Sequence, residues 1–237
     1  MEESRMKRTA IVLAAAAILL VAAPAQAQTT LAAGDVAFTF YQADTPDTFT
    51  FLLMVDVQNT TTLRFTDNGW LSGGGFRANE GIIEWAATSD LTAYTQITIT
   101  TPDSGVTFTA TSGTVTVPDT GFALATAGDQ ILAYQGTEAS PSFVTAINDH
   151  NWDATAADSN TSALPPGLTD GTNAIHFPIA LPGTDNGQYN CATTVGVPAV
   201  LNAAINNGAN WTTSDTILTP APCSFTVPVE LMGFTAD

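Results

Sequence analysis

Lysine does not occur after residue 7, and past residue 27 the only cations are Arg64 and Arg77. They stand against 20 acidic residues, a formal charge of about −18 for that part of the chain. Without lysine there is no Schiff-base chemistry, no phosphate-binding-loop lysine and no lysine-assisted nuclease step. So little positive charge repels phosphate backbones and anionic lipid, which excludes nucleic acid as an electrostatic partner. The acids are spread along the sequence, which favours adaptation to a salty medium over a store of calcium ligands.

Histidine and cysteine are equally scarce. His150 and His176 are separated by a proline-rich stretch and lie in no zinc-binding spacing. No Gly-x-Ser-x-Gly elbow occurs. Glu80 and Glu84 fall on one face of an expected strand, but at about 3.3 Å per residue they would sit about 13 Å apart, too far for a glycosidase acid and nucleophile. No catalytic residue is assigned. Cys191 and Cys223, an even pair in a chain with an export signal, predict one disulfide closing a loop of about thirty residues, valued at roughly 3 to 4 kcal/mol.

Long apolar runs are confined to residues 9–23, preceded by Arg5, Lys7 and Arg8 and followed by Ala25-Gln26-Ala27. This order reads as a secretory signal peptide over residues 1–27, cleaved after Ala27, and the run falls short of the roughly 20 residues of a spanning helix. Glu2 and Glu3 are unusual in such a leader and point to Met6 as the start. The expected location is outside the cytoplasm: extracellular medium, cell surface or periplasm.

What the rest has in quantity is threonine alternating with valine, isoleucine and phenylalanine. Residues 36–41, 48–57, 61–66, 81–87, 94–101, 105–111 and 129–136 read as strands, separated by turn formers such as "ADTPD", "DNG" and "TPDSG". The spacing predicts an all-β sandwich or barrel, a single domain over 28–227. After Gly136 the pattern loosens into an irregular excursion with two short strands. One helix is expected where Pro198 suits the first turn, Val197, Leu201, Ala204 and Ile205 share a face, and Gly208 ends it. "CSFTVPVELMGFTA" returns to strand character.

Candidate sites are few. "FTDNGWLSGGGFRANEG" (65–81) holds a turn with Asn68 and Gly69 expected at positive φ, a loop of three glycines, and Arg77, expected to pair with Glu80 or another acid. A phosphate cradle would need a helix after the glycines, and a strand follows. Trp70 and Trp85 are candidates for a sugar-stacking platform, with Trp152 and Trp211 as further surfaces, against core packing as the alternative. "DHNWD" sets Asp149, Asn151 and Asp153 at the alternate positions that open a calcium loop, although Ala154 replaces its glycine and Asn160 its bidentate glutamate; Asx turns are the alternative.

Several segments together, "GDVAFTFYQADTPDTFTFLLMVDV", "TTLRFTDNGW", "GGFRANEGIIEW", "AGDQILAYQG", "SNTSALPPGLTDGTNAI" and "AINNGANW", resemble a family of uncharacterised exported bacterial domains. The resemblance spans about residues 34–211 and implies no catalytic residue. A looser similarity is to lamin-tail-like domains, which implies an immunoglobulin-like or lamin-tail-like β-sandwich. "VPVELMGFTAD" resembles the Pro-Val-Glu-Leu-x-x-Phe-x-Ala segment that opens the last module of type IX-secreted surface proteins. It implies a final strand or the start of a truncated C-terminal module at 228–237. The expected function is a non-enzymatic exported module with a structural or interaction role and a cell-surface protein or polysaccharide partner. A carbohydrate-binding module is the second expectation and a secreted hydrolase using dispersed carboxylates the third.

Overall fold

Alternation of threonine with phenylalanine puts one residue type on each face of a strand, and in β1 (Val36–Gln42) and β2 (Asp47–Leu53) both faces are buried. The computed structural model describes residues 27–103, 105–177 and 184–227, so the leader expected at 1–27 (Ala27 apart) and the segment 228–237 lie outside the described residues. After β2 come β3 (Thr62–Thr66), β4 (Ile82–Ala86), β5 (Gln96–Thr101), β6 (Thr109–Ala110) and β7 (Thr114–Asp119). They are followed by β8 (Gln130–Thr137), β9 (Ser140–Asn148), β10 (Ala174–His176), β11 (Asn186–Tyr189), α1 (Pro198–Ile205) and β12 (Trp211–Ser214). Two six-stranded sheets result, ordered β12-β11-β1-β2-β5-β6 and β10-β9-β8-β3-β4-β7. All pairs are antiparallel except β9 with β10. The protein is an all-β sandwich with one short helix.

Between the sheets lies an aromatic core. Phe65 of β3 meets Phe49 and Phe51 of β2 at centroid distances of 4.9 and 5.1 Å, and Trp85 of β4 meets Phe51 edge-on at 5.3 Å. These rings come from both sheets, so the burial that drives folding, about 1.5 to 3 kcal/mol for a large apolar side chain, also clamps one sheet to the other.

Each sheet is also covered on its outer face. On the first, Thr39, Thr48 and Thr50 are buried, and Thr50 and Thr98 share a hydroxyl hydrogen bond of 2.8 Å across β2 and β5. The segment after β12 lies over these threonines: Leu218 N–H donates to Gln42 (2.7 Å), and Gln96 Nε2 donates to the Cys223 carbonyl (2.7 Å). The Cys191–Cys223 disulfide, with Cα atoms 5.6 Å apart, ties this strap to the end of β11. On the second sheet, Leu132, Tyr134, Phe143 and Ala146 form a separate apolar cluster, on which Trp70, Phe76 and Trp152 pack from the loops 67–81 and 149–173.

Several sequence expectations change. The excursion expected after Gly136 contains β9, nine residues long and the main partner of β8; with its last six residues all buried, it shows no polar-apolar alternation. "TVTVPD" forms β7, whereas the strand expected over 105–111 shrinks to the two residues of β6. α1 begins at Pro198 as expected but is capped by Asn206, not Gly208. Of the late strand expected from Cys223, the described part makes only a bridge between Val195 and Thr226.

Candidate functional site

Antiparallel topology brings the end of β1, β3 and β9 and the start of β2, β8 and β11 to one end of the sandwich, and each carries acid there. Asp47, Asp67, Asp129, Asp149 and Asp185 are all buried. They staple loops. Asp67 accepts the N–H groups of Gly81 (2.9 Å) and Ala123 (2.7 Å), Asp47 that of Leu124 (2.9 Å), and Asp129 those of Ala125 (2.9 Å) and Gln130 (2.8 Å). Burial pushes the carboxyls up, Asp47 and Asp149 to about 6, Glu80 to about 7 and Asp67 to about 8, and it raises Asp129 well above the ordinary range. Tyr41, fully buried beneath them, is raised by burial and then by the nearby Asp149 and Asp129. The acids expected to be dispersed are therefore partly gathered by the fold.

The predicted calcium ligands have separate surroundings. Asp149 turns inward, its Oδ1 accepting Asp129 N–H (2.9 Å) and contacting His150 Nδ1. Asn151 is exposed. Asp153 Oδ1 accepts Thr155 N–H and O–H at 2.8 Å, an Asx turn. Among the described residues no three His, Cys, Asp or Glu side chains converge as a metal site.

Within 65–81 the Asp67-Asn68-Gly69 turn is buried, whereas residues 72–74, 78 and 79 are exposed. Positive φ falls at Gly74, Gly75 and Asn79, not at Asn68 or Gly69. Asn68 instead closes the long loop on itself, its Nδ2 donating to the Glu80 carbonyl (3.0 Å) and its Oδ1 accepting Glu80 N–H (3.2 Å). Arg77, expected to pair with an acid, donates to the carbonyls of Ala156 and Thr161, joining this loop to the next. Arg64 makes the ion pair, with Glu84 at 2.8 Å.

The tryptophans divide. Trp85 is a correction to the stacking platform: it is 0% exposed in the inter-sheet core, with Nε1 donating to the Ser112 carbonyl at 2.7 Å. β4 is an inner strand of its sheet, and Trp85 faces the core. Trp211 is also buried, against Phe177. Trp70 and Trp152 remain half-buried. They line one open cleft of about 380 Å³ with Ser72, Ala163, Leu164 and Pro166. Trp70 is held edge-on by Phe76 (5.1 Å) and Phe143 (5.0 Å), and Trp152 donates from Nε1 to Asp170 Oδ1 at 3.0 Å.

Asp170 belongs at once to a second cavity, of about 390 Å³, lined by His176, Asn206, Asn207 and the small residues Gly171 and Gly208. Asp170 and Asn206 carried no signal in the sequence, being one acid among many and one asparagine at a helix end; His176 was conspicuous only as one of two histidines. β10 and the C-terminus of α1, distant in sequence, bring them together.

Comparison with protein-family models, curated proteins and solved structures returns no match to this chain.

Proposed function

We propose that this chain is an exported, non-enzymatic β-sandwich module of the cell envelope or extracellular medium, with an interaction role. The observation that carries this proposal is the cleft between Trp70 and Trp152, built where two long loops are laid over the outer face of the second sheet. Loops positioned on a rigid scaffold are where binding residues concentrate. Apolar walls with few polar groups suit recognition, and no nucleophile and base pair stands in the cleft to suggest turnover. Incubation with sugar polymers, esters and nucleic acids is expected to give no products. Hydrolysis that disappears when one acidic residue is replaced would overturn the proposal.

A second, more specific reading is carbohydrate as the ligand, favoured by the same two indoles, with Trp152 taking the place first assigned to Trp85. Their faces offer the aromatic surface on which sugar rings stack. A glycan array probed with the chain and with Trp70→Ala tests it: binding lost in the variant is expected, and a blank array for the unaltered chain rejects carbohydrate.

A further inference from the structure

The cavity beside Trp152 differs in character from the cleft. Asn206 is 2% exposed, and its Nδ2 is used, donating to the carbonyls of Thr172 and Asn202 at 3.0 Å each. Its Oδ1 has no partner. A buried amide oxygen without a donor is destabilising unless something supplies one. The His176 Nδ1 atom lies 2.9 Å from Asp170 Oδ2 but off the line of a hydrogen bond, and that buried nitrogen has no hydrogen-bond partner, while about a third of the imidazole and of the carboxylate stays exposed. Asp170, Asn206 and His176 thus line a space of about 390 Å³, within the range of small-ligand sites.

The donor and acceptor inventory selects the ligand. The acceptors Asp170 and Asn206 call for hydroxyl donors, and imidazole serves either role. No lysine or arginine lines the cavity, so nothing there would neutralise a uronate, sulfate or phosphate, and the charge of the whole chain repels such polymers. Gly171 and Gly208 in the lining add no side chain to the space, which leaves room for a ring. The Trp152 Nε1 to Asp170 Oδ1 bond makes one side-chain pair the partition between cleft and cavity.

We propose that the cavity of Asp170, His176, Asn206 and Asn207 is the polar subsite of a groove for a neutral, hydroxyl-rich glycan, in which one sugar ring hydrogen-bonds to these side chains while its neighbour stacks on Trp152. It rests on carbohydrate as the ligand of the Trp70–Trp152 cleft.

The test is native affinity electrophoresis of the full, disulfide-bonded chain in gels cast with dextran, laminarin, galactomannan or xyloglucan, beside gels containing alginate. Three variants accompany it. Trp152→Ala removes the stacking face. Ala203→Leu fills the cavity from an exposed helix position lining it, without deleting a polar partner, and suits a helix. Asp170→Asn exchanges an acceptor for a donor. Retardation by at least one neutral polymer and not by alginate is expected, weakened about tenfold or more in each variant. No retardation by any neutral polymer overturns the cleft and the subsite together. Retardation lost in Trp152→Ala but unchanged in Ala203→Leu and Asp170→Asn leaves the cleft standing and overturns the subsite alone. Stronger retardation by alginate overturns the choice of a neutral ligand.

Discussion

At the scale of single residues, the loops over the second sheet depend on close backbone approach. A Cβ at Gly69 would stand 2.4 Å from the Thr161 carbonyl oxygen, whereas one at Gly73, four residues on, would meet nothing within 4 Å. Gly69→Ala must therefore push apart the loops that carry Trp70 and Trp152. We expect it to cost about 1 to 3 kcal/mol in urea unfolding, as overpacking does. Gly73→Ala should stay within about 0.5 kcal/mol. Equal costs would mean that the two loops are not in contact as described. The sequence showed glycines in this stretch but not which one mattered, because the neighbour that makes Gly69 indispensable is 92 positions away.

At the scale of elements, the disulfide secures a strap instead of a hairpin. Cys191 and Cys223 are 32 residues apart, and the chain-entropy model values such a closure at about 4 kcal/mol. Replacing both by serine is expected to lower stability by about that amount and to expose the segment 215–223 to proteolysis, since only a few hydrogen bonds such as Leu218 to Gln42 would hold it. Limited digestion followed by mass spectrometry reads the cut site. An uncut strap in the double serine variant would assign its retention to packing on the threonine face. Strand identity was legible in β5, where burial alternates along its whole length, and illegible in β9, whose sequence SPSFVTAIN does not alternate; alternating β7 was missed because its Pro-Asp end reads as a turn.

At the scale of the whole molecule, electrostatics should control stability. Asp47, Asp67, Asp149 and Glu80 titrate near 4 when unfolded and at about 6 to about 8 when folded. The folded chain therefore binds more protons than the unfolded chain across that interval, and stability must fall as pH rises from about 4 towards 8. Melting temperatures taken at fixed ionic strength should decline over this range; a maximum at pH 8 would contradict the burial of these carboxyls. Salt acts on the same repulsion. With a Debye length of about 30 Å at 0.01 M and about 3 Å at 1 M, molar sodium chloride is expected to raise the melting temperature, and more at pH 8 than at pH 5. Calcium titrated at constant ionic strength separates a specific site from screening, because binding to the native chain adds a saturable RT ln(1 + [L]/Kd).

The sequence by itself determined the all-β class, the helix at Pro198 and the disulfide. Alternation, a first-turn proline and an even cysteine pair are local signals with local physical causes. Tertiary structure decided which tryptophans stay accessible, since Trp70 and Trp85 differ only in whether the face they occupy meets a loop or the other sheet. It also decided that Asp170, His176 and Asn206 share a cavity. Their meeting depends on the parallel pairing of β10 with β9 and on where α1 docks, and no spacing along the chain encodes a contact made by packing alone.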